Sequence, residues 1–339
     1  MVFREDQEKR EYELLSEYAC KSAESRGRAV YEEPCELRTE FQRDRDRIIH
    51  SKALRRLMHK TQVFLSPEGD HFRTRLTHTL EVAQIARTIS RALGLNEDLT
   101  EAIALGHDLG HTPFGHNGEA FLDEIHPGGF AHNVQSLRVV DVIERNAKGR
   151  TMNLTAEVRD GIMNHTGPEW PFTLEGQVVR HSDRIAYINH DIDDAMRAGI
   201  IRADDIPAEC TAYLGPDHRS RINTLVTDIV RNSEGKDKVM MSDDAAYYMN
   251  KLREYMFGAV YRNPEVKQAS EMAKIKDLIS SLYCYFLEHS DQLPGEYQVI
   301  LQRDGGNEAV KDYIAGMTDR YAINIFSETF VPSGWKLPK

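Results

Sequence analysis

Cysteine is scarce: the 339 residues hold four, Cys20, Cys35, Cys210 and Cys284, far apart and with no C-x-x-C pair. That spacing excludes a disulfide framework and a thiolate zinc site, and it fits a reducing compartment. Long apolar runs are missing too. No segment approaches the length needed to cross a bilayer, and the first ten residues, MVFREDQEKR, carry charges where a secretory signal needs an apolar core. No membrane partner is expected, and the cytoplasm is the expected location. Positive charge is in deficit, with 43 Lys+Arg against 54 Asp+Glu and a net charge of −11. This argues against general adhesion to nucleic acid or anionic membrane, while leaving room for a local basic pocket. There is no repeat, low-complexity tract or Pro- or Ser-rich linker, so length alone allows one large domain or two ordinary ones.

Strand signals are also few. Gln62-Val-Phe-Leu, then Ser-Pro-Glu-Gly-Asp, then Phe72-Arg-Thr can make at most one small β-hairpin. Helical periodicity dominates. Leu76, Leu80, Ala83, Ile89 and Leu93 mark an amphipathic helix that Gly94 stops. Asn96 stands at the N-cap of the next helix, Glu97 and Asp98 fill its first turn, and Leu99, Ile103 and Leu105 carry it into Gly106-His107-Asp108. Further helices are predicted over about 40–59, 134–147, 154–164, 176–199, 219–232, 244–262, 266–289 and 307–326, with loops near 26–36, 146–153 and 202–218. The fold is expected to be mainly α. An N-terminal helical extension over 1–35 is followed by a core over 36–203 and a C-terminal helical region over 204–339 packed on that core.

Chemistry concentrates in one stretch. His107, His111, His116, His126 and His132 crowd beside Asp108 and Glu119. Adjacent residues on a helix point about 100° apart, so His107 and Asp108 can both reach a cation at one edge, and His78 in the preceding helix can add a third ligand. A mixed imidazole and carboxylate shell suits a transition metal better than calcium and leaves positions open for water and phosphate oxygen. Taken singly, each residue reads as a core histidine or a solvated carboxylate; the combination reads as a hydrolytic metal site.

His78, His107-Asp108 and the distant Asp183 form the H…HD…D pattern of the HD superfamily. The string His107-Asp-Leu-Gly-His-Thr-Pro-Phe-Gly-His116 is more specific and resembles its deoxynucleoside triphosphate (dNTP) triphosphohydrolase branch. Other matching segments are Leu54-Arg-Arg-Leu, Lys60-Thr-Gln-Val-Phe, Arg73-Thr-Arg-Leu-Thr-His78, Phe130-Ala-His132-Asn and Asn164-His-Thr-Gly167. Ser182-Asp-Arg-Ile-Ala-Tyr187-Ile-Asn-His-Asp191 and Asp312-Tyr-Ile-Ala-Gly-Met-Thr-Asp-Arg-Tyr321 match as well. The resemblance runs through most of the chain and contributes little over 1–35 and 200–218.

That resemblance implies an HD-domain helical fold and a four-ligand metal site of His78, His107, Asp108 and Asp183. The metal is expected to be Mn2+, with Mg2+, Fe2+, Co2+, Ni2+ and Zn2+ as alternatives. It implies cleavage at the α-phosphate, water as nucleophile, and release of a deoxynucleoside and intact triphosphate. His116 stands where the family places the group that protonates the leaving 5′-oxygen, and Glu119 where an acidic residue holds it; imidazole suits proton transfer near neutrality. His111 and His132 match histidines around the same phosphate. Arg75 and Arg184 match phosphate contacts. Tyr187 matches a residue stacked on the sugar where a 2′-hydroxyl would sit, and Asp191 and Gln62 match acceptors for the 3′-hydroxyl. His126 is read as a loop histidine, Asp193-Asp194 as a solvated acidic pair, His165-Thr-Gly as a supporting turn, and the loop around Trp170 as a lid or subunit contact. Broad dNTP use and a homo-oligomer are expected from the family, whose members often carry a dNTP effector site, an open point for this chain, and nucleic-acid binding is not expected. The rival readings are another HD phosphohydrolase, acting on a nucleotide, cyclic nucleotide or alarmone, and a catalytically silent nucleotide-binding regulator.

Overall fold

A computed structural model describes residues 2–62, 73–263 and 269–332. The chain runs through α1 (Arg4–Leu14), α2 (Glu40–Ile49), α3 (Lys52–Arg56), α4 (Arg75–Ala92), α5 (Glu97–Gly106), α6 (Gly115–Ile125), α7 (His132–Arg138) and α8 (Ala156–Asn164). It continues with α9 (Leu174–Arg197), α10 (Ala208–Leu214), α11 (His218–Ser233), α12 (Asp243–Met256), α13 (Ala269–Glu288), α14 (Gly295–Asp304), α15 (Gly306–Ala315) and α16 (Asp319–Phe330). Among the described residues there is no β-strand, only the isolated antiparallel bridges Arg28↔Thr155 and Thr61↔Thr74. The fold is mainly α, as expected; the hairpin predicted over 62–65 and 72–74 falls largely outside the described residues.

Helix α5 is the axis of the site-bearing half. Its buried residues are Leu99, Thr100, Ala102, Ile103, Ala104, Leu105 and Gly106, so it is enclosed on nearly every side, with α2, α4, α8 and α9 packed around it. Each fully buried Leu or Ile contributes roughly 1.5–3 kcal/mol. Asn96 starts the helix as predicted, its Oδ1 accepting the N–H groups of Asp98 and Leu99 at 3.1 and 3.2 Å. Glycine at the end of α5 lets it pass close to α8: a Cβ on Gly106 would lie 2.5 Å from Ile162 Cδ1. One continuous apolar core joins helices on both sides of residue 203.

The helix boundaries depart from expectation where side chains interrupt the periodicity. The segment 40–59 is two helices and a short 3₁₀ turn, because Ser51 caps α3 with its Oγ accepting from Leu54 N at 3.0 Å. The segment 307–326 is likewise split into α15 and α16, where Thr318 Oγ1 accepts from Tyr321 N at 3.2 Å. The predicted loop 202–218 contains α10. Leu80, counted on the apolar face of α4, is 52% exposed, and the buried face is instead Arg75, His78, Thr79, Val82, Ala83, Ile85, Ala86, Ile89 and Ser90.

Candidate active site

Contrary to the helical placement read from the sequence, His107 and Asp108 lie outside a helix: α5 ends at Gly106 and they begin the turn that follows. This turn runs against α7, and a Cβ on Gly110 would lie 2.2 Å from Ser136 N and 2.5 Å from His132 O. Only glycine lets the backbone carrying His107, Asp108 and His111 pass so near the start of α7. His78 comes from the first turns of α4 and Asp183 from the middle of α9.

One nitrogen or oxygen each of His78, His107 and Asp108 lie mutually within 4.8 Å. Asp183 Oδ1 is 3.1 Å from His78 Nε2 and 3.7 Å from His107 Nε2. His107 Nδ1 lies 2.6 Å from Ala104 O and donates its proton there, which leaves the Nε2 lone pair free. That Nε2 is buried with no hydrogen-bond partner. A deprotonated imidazole nitrogen facing two carboxylates is the chemistry of a cation site, so these residues fit a divalent metal. Burial opposes ionisation of Asp183, but His78 and His107 hold its carboxyl well below the usual range.

A cavity of about 400 Å³ opens from this cluster, a size suited to a small-molecule ligand. It is lined by His78, Asp108 and Asp183, by His111, His116 and His132, and by Gln62, Arg75, Tyr187 and Asp191. Of the predicted site residues, His107 approaches from beneath, Glu119 sits behind two histidines, and Arg184 is bonded to Asn250 Oδ1 at 3.1 Å. None of these three is in the lining.

Arg75 is 1% exposed and bonds Asp108 Oδ2 at 3.0 Å, while its Nε and Nη2 are buried without partners. Buried unpaired donors on a guanidinium are costly unless an anion satisfies them. Glu119 grips two histidines: Oε2 is 3.0 Å from His116 Nδ1, and Oε1 is 2.8 Å from His132 Nδ1. Burial opposes a charge on His132, and the Glu119 bond outweighs it and raises the pKa. His111 stacks on His132 with centroids 4.1 Å apart; burial and Arg75 drive its pKa down. His165 is more than a turn: Nδ1 is 2.7 Å from Ile162 O, and Nε2 faces His132 Nε2 at 3.3 Å. Burial beside His107 and His132 pushes its pKa down to about 3.

At the other end, burial raises the Asp191 carboxyl to about 7, and it accepts a hydrogen bond from the Tyr261 hydroxyl. Arg253, Phe257 and Tyr261 also line the cavity and escape the sequence reading. Their i, i+4, i+8 spacing along α12 and the π-helical turn Phe257–Tyr261 was the available signal, and it reads equally well as ordinary core.

The C-terminal motif braces the site without lining it. Asp319 accepts from Phe114 N at 2.9 Å and from Thr61 N at 3.0 Å. Phe114 and Gly115, just before His116, both have positive φ, of 62° and 57°, unusual for the bulky Phe. Asp312 takes Gln135 Nε2 at 2.9 Å and Arg138 Nε at 2.7 Å, and Lys60 Nζ donates to the carbonyls of His111 and Ala315. His126 is a loop residue as expected but gains buried partners, and the reading of Asp194 changes. His126 is buried between Tyr283 Oη at 3.0 Å and Glu308 Oε1 at 3.1 Å. Asp194 is 4% exposed and bonded to Arg73 at 3.0 Å, so it is no solvated acid.

Residues 75–188 match the HD domain and residues 239–328 the phosphohydrolase-associated domain that accompanies it. A protein of Caldanaerobacter subterraneus subsp. tengcongensis named deoxyguanosinetriphosphate triphosphohydrolase-like is 58% identical over 335 residues, 99% of this chain and 98% of that one. The chain belongs to the dGTP triphosphohydrolase-like family of HD phosphohydrolases. Members so named from Desulfatibacillum aliphaticivorans and Clostridium perfringens are 48% and 47% identical; 98% of this chain is covered in both cases, with 99% and 98% of theirs. An HD phosphohydrolase acts on phosphoric esters, in keeping with the His/Asp cluster found here. No helix among the described residues is long and apolar enough to cross a membrane.

Proposed function

We propose that this protein is a divalent-metal-dependent dNTP triphosphohydrolase that releases a deoxynucleoside and inorganic triphosphate. The observation that carries this reading is the pairing, on one cavity, of the His78, His107, Asp108 and Asp183 cluster with the unsatisfied donors of the buried Arg75. A divalent ion bound by those four residues, Mn2+ in the first instance, would supply Lewis-acid polarisation of the α-phosphate and a more acidic water.

The chain's own groups account for the rest. Arg75 presents Nε and Nη2 to phosphate oxygens, and Arg253, which also lines the cavity, is a second cation available to them. His132, held by Glu119, stabilises negative charge developing on the α-phosphate. His116 donates the proton that the leaving 5′-oxygen needs, and its bond to Glu119 through Nδ1 leaves Nε2 directed outward for that transfer. Tyr187 closes the space beside the sugar, and Asp191, with Gln62, holds the 3′-hydroxyl; Gln62 Oε1 is a buried acceptor without a partner. The expectations of Mn2+ as the metal, the cytoplasm as location, and a homo-oligomer belong to the same proposal.

Incubating chelator-stripped protein with each dNTP and NTP, with and without Mn2+, and separating products by ion exchange tests it. Triphosphate from dNTPs alone, and only with metal, is the expected result. Diphosphate or monophosphate instead would point to another HD phosphohydrolase, and absence of product with mixed dNTPs to a nucleotide-binding regulator.

A further inference from the structure

We propose that Glu81 and His190 form a hydrogen-bond relay that presents the His78 Nε2 lone pair to the metal, which makes both of them positioning residues for the cation centre. The inference rests on the ligand assignment above. His78 and Glu81 stand three residues apart on α4, one turn along the same face, and His190 on α9 fits between them. His190 Nε2 is 3.2 Å from Glu81 Oε2, and its Nδ1 is 3.4 Å from His78 Nδ1. The His190 ring is 1% exposed and meets the His78 ring edge-on, with centroids 5.6 Å apart at 89°.

The order of protons along this chain follows from its outer, carboxylate end when both imidazoles are neutral. A carboxylate only accepts, so the imidazole N–H of His190 sits on Nε2 and points at Glu81. Its Nδ1 then carries a lone pair and accepts from His78 Nδ1–H. With that proton on Nδ1, a neutral His78 has its Nε2 lone pair available to a cation, which would replace the hydrogen bond that Nε2 makes to Asp183 Oδ1 at 3.1 Å in the cation's absence. The opposite order would place a lone pair of His190 against the Glu81 carboxylate and a proton on His78 Nε2, closing the coordination position. The arrangement is the carboxylate–histidine pairing that orients metal ligands, extended by one further imidazole.

Arg73 fixes the outer end. Its Nε is 3.1 Å from Glu81 Oε2, and its Nη1 is 3.0 Å from Asp194 Oδ1 on α9. This ties Glu81 to the helix that carries His190. The relay thus gives a role to Arg73 and His190, two residues of the motif segments with no place in the cavity. His218 stacks on the far face of the pair at 5.7 Å from His190.

The test is the Mn2+ affinity of chelator-stripped protein, measured by titration calorimetry alongside the melting temperature, for wild type and five variants. His190→Leu should weaken Mn2+ binding about 10–100-fold, whereas His190→Asn, which keeps an acceptor near the Nδ1 position, should stay near wild type. Glu81→Leu should weaken binding about 10-fold and Glu81→Gln, which retains an acceptor oxygen, much less. Because the Glu81 side chain is 39% exposed, the Glu81 pair decides the matter should His190→Leu fail to fold. Asp183→Ala is the control for the ligand assignment. Its retention of wild-type Mn2+ affinity would overturn that assignment, while its loss together with unchanged affinity in folded His190→Leu and Glu81→Leu would overturn the relay alone. Equal loss in His190→Leu and His190→Asn would also overturn it. In Zn2+-loaded protein, nitrogen-15 spectra should show His190 protonated on Nε2 only; a protonated Nδ1 would contradict the proton order.

Discussion

Replacing Asp191 with asparagine should stabilise the protein increasingly as pH rises. Its side chain is 3% exposed, and burial holds its pKa near 7 against about 3.9 for an unfolded aspartate. The folded-state value is the raised one, so the folding contribution of this group is fully present below about pH 4 and is lost as pH climbs through 7. The rise from about 3.9 to about 7 corresponds to about 4 kcal/mol at and above pH 8, and to about 1.5 kcal/mol already at pH 5. The stability difference between Asp191→Asn and wild type should therefore grow by about 2–3 kcal/mol between pH 5 and pH 8. Any constant effect of the altered Tyr261 hydrogen bond cancels in that comparison. Urea unfolding of metal-free protein at the two pH values measures it. A difference independent of pH would refute the reasoning, because it would mean that the carboxyl ionises equally easily in both states.

Other substitutions probe separate parts of the account. His116→Ala should keep Mn2+ and dNTP binding but lower kcat about 10²–10⁴-fold; a near-normal kcat would remove His116 as proton donor. Gly110→Ala forces a Cβ to within 2.2 Å of Ser136 N, which should cost about 3 kcal/mol or more and weaken metal binding, read by unfolding and calorimetry together. Tyr187→Ala should narrow the dNTP over NTP preference about 10-fold or more, measured as the ratio of kcat/KM values; an unchanged ratio would place sugar selection elsewhere.

What was legible in the sequence was local. Asn96 capping α5 and Gly94 stopping α4 act through their own neighbours, and they are visible without any tertiary contact. Strings such as His107 to His116 and Ser182 to Asp191 carried enough specificity to place ten of the thirteen candidate residues on one cavity wall. What was not legible depends on partners distant in the chain. Leu80 obeys helical periodicity yet faces outward, because buried His78 and Arg75 take the inner face for the site. Arg253 looks like a solvated residue and Tyr261 like core until α12 is laid beside α9. Asp194 looks solvated until Arg73, from the segment before α4, bonds it on α9. His126 is a loop residue, as read, but its burial was hidden because Tyr283 and Glu308 lie more than 150 positions away.

Hydrolysis of dGTP in ¹⁸O-enriched water with Mn2+, followed by mass analysis of both products, tests the central claim most directly. The account predicts one ¹⁸O in inorganic triphosphate and none in deoxyguanosine, since water attacks the α-phosphorus and the 5′-oxygen leaves with the nucleoside. Label in the nucleoside, or pyrophosphate or orthophosphate as the released product, would contradict it.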